Sequence, residues 1–500
     1  MDIREIAYDI LKKIEYEDLY VNDILHNALR RMQFSDKRDR AFLTRLVEGV
    51  TERRISLDYL IDKLSTGKKK LKPDIRILLR MGIYQIRYME AVPDRAAISE
   101  TVELVKRSGY AGLSGFVNAL LRKVSELSSE GKLDSFLVSR MDTRYSTPKW
   151  LCDFLVETYG KENAKLILED QYKEHDTVIR VNLQKTSIDE LKEKLLSKGL
   201  EVSGSNLKLE ADQKEELDKR VLRIAGYDSI PRLPGFRDGH FIIQDETSVY
   251  TILRAGIKPG DMIIDMCAAP GGKSLLAYEL SADDEKCGFI ISRDISEDKI
   301  EKIRENAERL GVPVSEDVVA SGHKSGKDIP AGIKLEIKDA TELDEDFARR
   351  SSDTKDSDTK DSDKKDSDEK ASDSKESDSK VSDSKADVIL VDVPCSGLGI
   401  IGRKNDIKYH TSPEAMKELA EQGLRILKNA SHYVKQGGRI CFSTCTINPG
   451  ENQDVTRAFL DSEEGSGYEI KEERTFLQGI DGSDGFYYCI LACKGDEKGN

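Results

Sequence analysis

The sequence predicts an α/β protein in which a mostly parallel sheet, flanked by helices on both faces, follows an all-helical domain and a small α+β unit. Three observations predict it. Apolar residues recur at helical spacing through residues 1–145. The pattern turns mixed over 146–238, and from 239 onward strand-like runs alternate with turn and helix signals. A chain of 500 residues has room for about two to four domains; the predicted boundaries are 1–145, 146–238 and 239–500.

In the first domain, DRAFLTRLVEGV places Ala41, Phe42, Leu46 and Val47 on one helix face, and Leu57, Leu60, Ile61 and Leu64 continue the pattern. LKPDIRILLRMGIYQIRYM, ISETVELVKRS and GFVNALLRKVSEL repeat it, with breaks near Pro93 and Gly109, so five to seven helices are expected. In the middle unit, WLCDFLVETYG and SIDELKEKLLSKG read as helices and TVIRVNL as a strand. The third domain offers MIIDM (262–266), GFIISRD (288–294), KLEIKD (334–339), DVILVDV (387–393) and RICFST (439–444) as strands. GFYYCILACK reads as an antiparallel edge hairpin closing the chain.

Residues 351–385 interrupt this alternation with 12 acids, eight lysines, 11 serines and no aromatic residue. Such a stretch buries too little apolar surface to offset the entropy of ordering it, and disorder is expected. It reads either as a tolerated, solvated insertion or as a regulated or partner-binding tail whose serines accept phosphate.

The net charge of −14 averages over unlike parts. Residues 1–150 hold 28 basic and 22 acidic side chains, including Arg53, Arg54, Lys68, Lys69, Lys70, Lys72, Arg122 and Lys123; the remainder is acidic by 20. The basic third is open to two readings, a solvated helical surface or a phosphate-binding one. No run of eighteen apolar residues occurs and the N-terminus is charged throughout, so neither a membrane span nor a secretory signal is expected. Eight cysteines in this length are no disulfide framework, which points to a reducing cytoplasm.

MIIDMCAAPGGKSLLAYEL joins a strand to a helix through a Gly-rich turn, letting backbone approach a ligand at a helix N-terminus. It matches neither the dinucleotide fingerprint nor the P-loop. Asp294 ends the next strand, 22 residues beyond Gly272, where an acid accepts from ribose hydroxyls, and Asp339 ends the third. Each acid alone reads equally well as a helix cap; together they indicate a nucleoside site. Asp392 and Cys395 end the fourth strand and Cys445 follows the fifth. The C-x₃-C pairs Cys441/Cys445 and Cys489/Cys493 do not suit one zinc, because four strand residues span roughly 13 Å. Cys441, Cys489 and Cys493 read as core residues, whereas Cys445 has Ser443, Thr444 and Thr446 around it and a turn after it.

CAAPGGKS (267–274), DVPCSGLG (392–399) and FSTCTINPGENQDV (442–455) resemble the three signature motifs of the Sun family of RNA cytosine-5 methyltransferases, in the family's order. GHFIIQDETS (239–248) resembles the segment before the family's cofactor motif, and YSTPKWL with IRVNL its small RNA-binding subdomain. DRAFLTRLVEGVTERR and GFVNALLRK resemble a NusB-like helical domain. The resemblance implies a Rossmann-like catalytic domain using S-adenosyl-L-methionine, with ribosomal RNA as partner. The three-part order is similar to that of bacterial members acting on cytosine 967 of 16S rRNA. It further implies Cys445 as the nucleophile that adds to cytosine C6, Asp392 on the base edge, and Cys395 in enzyme release. Cys267, Ala268, Ala269, Pro270, Gly271, Gly272 and Lys273 would hold the cofactor, with Asp294 on ribose, Asp339 near adenine and Asp392 beside them. No metal is expected, and the chain is expected to act as a monomer.

Val393 and Thr446 depart mildly from the family pattern, and Asn405 stands where Pro is common, leaving the 403–408 loop open. Other readings remain. A non-catalytic NusB-like RNA-binding adaptor would not need both cysteines; a methyltransferase of another rRNA or tRNA cytosine shares every motif. An amino-group methyltransferase would carry an N-P-P-Y type clamp in place of DVPCS.

Overall fold

The computed structural model describes residues 2–32, 36–65, 71–137, 139–283, 288–315, 332–350 and 385–495. The predicted disordered stretch, apart from Lys385, and Lys68–Lys70 lie outside the described residues. The chain divides into two compact units, 1–173 with 401–411, and 174–400 with 412–500.

Seven helices of eleven residues or more build the first unit between Ile3 and Ser129 among the described residues. Their starts follow local chemistry: the Asp2 and Asp36 carboxylates accept from Arg4 N and Arg38 N, and Pro73 opens the helix Pro73–Tyr88. Leu43, Leu46, Leu57, Leu60, Ile75, Leu78 and Leu121 are fully buried between them. Of the face read from DRAFLTRLVEGV, Leu46 and Val47 are buried, Phe42 is half-buried and Ala41 is exposed, Leu43 taking the inward place. The helix Lys149–Asp170 belongs to this unit, beyond the expected boundary at 145.

Segment 401–411 also packs here, although its neighbours in sequence belong to the second unit. Asp406 accepts from Val21 N at 2.7 Å, and Asn405 Nδ2 donates to Glu48 O at 3.2 Å. Lys408 is fully buried, donating to Glu52 O (3.0 Å) and Gln171 Oε1 (2.7 Å). Burial pulls its ammonium down to about 7, with Glu52 acting in the opposite sense. The loop left open by Asn405 is therefore pinned, partly by that side chain. Arg53 and Arg54 lie over the Tyr172 and Tyr409 rings at 3.2 and 4.0 Å, so two of the basic residues pack against aromatic rings.

In the second unit, β1 (Thr177–Val181), β2 (Glu201–Ser203), β3 (Val221–Ala225) and β4 (Phe241–Ile243) form an antiparallel sheet in the order β2-β3-β1-β4. Its β4 edge lies past the expected boundary at 238. A second sheet contains β5 (Met262–Asp265), β6 (Phe289–Asp294), β7 (Val314–Ser315), β8 (Gly332–Ile337), β9 (Ala386–Asp392), β10 (Val434–Thr444), β11 (Tyr468–Phe476) and β12 (Phe486–Cys493), ordered β11-β12-β10-β9-β5-β6-β8-β7. The pairs from β10 to β7 are parallel, which brings the carboxyl ends of β5, β6, β8, β9 and β10 to one rim. β9 and β5 are central, and Ile263, Ile264, Ile389 and Val391 are fully buried.

The C-terminal expectation is corrected by the sheet order. GFYYCILACK is one strand, not a hairpin, and it lies inside the sheet between β10 and β11. The edge is β11, which hydrophobic patterning did not reveal.

Candidate active site

Residues 266–271 turn from β5 into the helix Gly272–Ser281. Gly271, its N-cap, has φ +100°, and a Cβ there would meet Ile303 Cγ2 at 3.1 Å. Gly271 N closes the turn on Ala268 O at 2.7 Å, and Asn306 Nδ2 donates to Pro270 O at 3.0 Å. Asp294, 5% exposed, accepts from Ala269 N at 2.9 Å on one oxygen and from Ile295 N and Lys299 Nζ on the other. The strand-end acid and the Gly-rich turn are thereby joined. Cys267 is half-buried, and burial pushes its thiol up.

Asp339, two residues past β8, accepts from Thr341 N (2.8 Å) and Thr341 Oγ1 (2.7 Å), which hold its carboxyl below the usual range. A solvent-open cleft of about 420 Å³ beside it is lined by Met266, Arg293, Ala340, Leu343 and Tyr433 among others. Strand-end carboxylates, a close-approach turn and an adjoining open cleft suit a nucleoside cofactor.

Asp392 lies opposite Ser443 where β9 and β10 end. It accepts from Lys273 Nζ at 2.6 Å on Oδ2 and from Ser443 Oγ at 2.7 Å on Oδ1. Burial disfavours the Lys273 ammonium, but the Asp392 carboxylate more than offsets it and holds the pKa above the ordinary value. Nearby, fully buried Asp265 accepts from Ser274 Oγ at 2.6 Å; burial pushes its carboxyl up to about 7.

Beyond the strand ends the two cysteine loops meet. Cys395 Sγ and Cys445 Sγ are 3.3 Å apart, within sulfur hydrogen-bond range. The bond to Cys445, and then burial, push the Cys395 thiol well above its ordinary value. One thiolate and one thiol at this distance supply a nucleophile beside a proton carrier. Cys441 and Cys489 are buried at 2% and 0% exposure in different core clusters, and half-buried Cys493 packs against the cluster that holds Cys489. Among the described residues, no cluster of His, Cys, Asp and Glu is arranged to hold a metal. No helix among them is long and apolar enough to cross a membrane.

The "Probable ribosomal RNA small subunit methyltransferase B" of Bacillus subtilis (strain 168) is 31% identical to this chain over 513 residues, covering 99% of both. The family description "16S rRNA methyltransferase RsmB/F" matches residues 252–339 and 362–492. The chain belongs to the RsmB/F family. The NusB family matches residues 1–126, and the ferredoxin-like domain of RsmF/B-like methyltransferases matches 147–211. A Synechocystis relative of the same printed name is 30% identical over 92% of this chain and 89% of its own. The crystal structure of PH0851 superposes with a TM-score of 0.68 at 19% identity, covering 98% of this chain and 99% of that one; this is a likeness of fold. The RsmB/F identity agrees with the resemblance read from the motifs and with the NusB-like, ferredoxin-like and Rossmann-like order.

Within this RsmB/F site, two residues take parts that the motifs alone did not give them. Lys273 pairs with Asp392 besides lying in the cofactor turn. Glu451, only 2% exposed, links the cysteine loops through Ser396 and Asn448. Its signal in the sequence is an acid within the polar turn NPGEN, one residue from the glycine.

Proposed function

We propose that this RsmB/F family member transfers a methyl group from S-adenosyl-L-methionine to C5 of a cytosine in 16S rRNA, with cytosine 967 as target, through a covalent Cys445–C6 adduct. The observation that supports it best is the pair of thiols 3.3 Å apart beyond the ends of two adjacent parallel strands. Cytosine C5 is a weak nucleophile. Addition of the Cys445 thiolate at C6 raises the electron density at C5, and Asp392 on the base edge stabilises the adduct. The bound cofactor supplies the methyl group that C5 takes up. The C5 proton is then lost to solvent, and Cys395 assists release as the Cys445–C6 bond breaks, the Cys445 thiolate leaves and the aromatic base is restored. A stacked cytosine cannot reach two recessed thiols, so the base leaves its stack first.

In this reading Cys267, Ala268, Ala269, Pro270, Gly271, Gly272 and Lys273 border the cofactor, Asp294 takes its ribose, and Asp339 and the adjoining cleft take its adenine. Residues 1–145 and 146–238 bind RNA, 239–500 carries the chemistry, and the protein acts as a monomer in the cytoplasm.

The test combines Cys445→Ser and Cys395→Ser with bisulfite sequencing of 16S rRNA. Cys445→Ser abolishes methylation at the target, whereas Cys395→Ser accumulates protein covalently bound to RNA. Undiminished methylation by Cys445→Ser rules the adduct out. A mark at another rRNA or tRNA cytosine moves the substrate while leaving the chemistry in place.

A further inference from the structure

We propose that Glu451 is a positioning residue that polarises the thiol pair, keeping the shared proton on Cys395 and leaving Cys445 as the thiolate. This rests on the reading of Cys445 as nucleophile and adds to it how one of two similar thiols is selected. Glu451 ends the short turn Pro449–Glu451, with Oε2 accepting from Ser396 N at 2.7 Å. Its Oε1 accepts from Ser396 Oγ at 2.6 Å and from Asn448 Nδ2 at 2.9 Å.

The surrounding network runs in one direction. Asn448 N donates to Thr446 Oγ1 at 3.2 Å, leaving the Thr446 hydroxyl proton to point at Ser396 Oγ, 2.8 Å away. The Ser396 proton then points at Glu451. Every donor converges on the carboxylate, and a protonated carboxyl would set its own hydrogen against one of them, so the network suits the ionised form. Burial pushes the Glu451 carboxyl above its ordinary value, and the Ser396 and Asn448 donors offset only part of that shift.

That charge sits beside the residue following Cys395, and it adds to the influences holding the Cys395 proton in place. Lys273 supplies the opposite pole: it lies close enough to Cys445 for negative charge on that sulfur to help retain its own proton. The bond to Cys445 and burial already favour the proton on Cys395, and the Glu451 carboxylate near one sulfur and the Lys273 ammonium near the other act in the same sense. Ser396 belongs to one cysteine loop and Thr446, Asn448 and Glu451 to the other, so the same bonds also fix the distance between the sulfurs.

Initial rates of iodoacetamide alkylation test this in the full-length protein without RNA or cofactor. Peptides containing Cys395 and Cys445 are followed separately by mass spectrometry across pH. In the wild type, Cys445 reacts first. Glu451→Gln lowers the Cys445-to-Cys395 rate ratio by about threefold or more at neutral pH, moving the Cys395 profile down by about half a pH unit. Ser396→Ala removes a hydrogen bond but keeps the charge, and holds the ratio within about twofold; Glu451→Asp restores most of it. An unchanged ratio in Glu451→Gln, or an equal fall in Ser396→Ala, overturns the proposal. Should Glu451→Gln not fold, the wild-type profile still decides, because faster reaction at Cys395 also overturns it. Methyl transfer plays no part in this readout, so it can fail while Cys445→Ser still abolishes methylation, and the reverse also holds.

Discussion

Asp265 and Asp392 are acids on neighbouring strands, yet their surroundings hold them in different ways. Asp392 is partly exposed and has an ammonium on one oxygen and a hydroxyl on the other. Asp265 is fully buried, and burial pushes its carboxyl from 3.8 up to about 7. Between about pH 4 and about pH 7 the folded chain binds more protons at this site than the unfolded chain, so stability falls as pH rises through that window. The cost is complete above about 7 and absent below about 4. Asp265→Asn removes the titration. Denaturant unfolding at pH values from about 4.5 to 7.5 should show the variant gaining on the wild type as pH rises, by up to about 4 kcal/mol in total. Other carboxylates titrate alike in both chains and cancel, so a flat difference would mean that Asp265 is not the group responsible.

At the scale of elements, the loops after β9 and β10 are held by backbone contact as much as by Glu451. Gly399 N donates to Cys445 O at 3.0 Å, and Gly485 N donates to Gly399 O at 2.8 Å. A Cβ on Gly399 would stand 2.0 Å from Gly485 O and 2.8 Å from Cys445 O. Gly399→Ala should therefore cost about 2 kcal/mol or more and separate the loops. The measurement is thermal unfolding beside cysteine alkylation, with Gly467→Ala as control because its Cβ meets nothing within 4 Å. A melting temperature matching the control would contradict the packing argument. These loops were legible because the strands that carry them are apolar runs ending in polar, glycine-rich turns, as buried parallel strands do. β11 was not legible: YEIKEERTF is largely charged because an edge strand keeps one side in water. Nor did RKNDIK reveal that Lys408 would be buried, since its acceptors Glu52 O and Gln171 Oε1 lie hundreds of residues away in sequence. Hydrophobic periodicity carries no information about a polar side chain satisfied by so remote a partner. For the same reason Cys395 and Cys445 each announced a loop, while Glu451 and the network joining them emerged only once the two loops were side by side.

Across the whole molecule, the net charge of −14 conceals a basic N-terminal third, and the structure narrows which of its cations face water. Arg53 and Arg54 are half-buried against Tyr172 and Tyr409, so their charges serve packing within the helical unit. Lys72, Arg122 and Lys123 are exposed. Cations that neutralise RNA phosphates release counterions, and each phosphate left without its cation flattens the salt dependence of affinity by about 0.7 to 0.9 in logarithmic slope. A triple change of Lys72, Arg122 and Lys123 to Ala should therefore weaken binding to a 16S rRNA fragment at low salt and lower the slope by about two to three. Filter binding across a salt series measures both. Tyr409→Phe serves as the contrasting change, because it keeps the ring beneath Arg54 and alters no charge; its slope should match the wild type. An unaltered slope in the triple variant would remove these three side chains from the RNA-binding surface. A reduced slope with unchanged bisulfite readout at saturating protein would assign them to capture of the RNA, leaving choice of the base to the rim around Asp392 and Cys445.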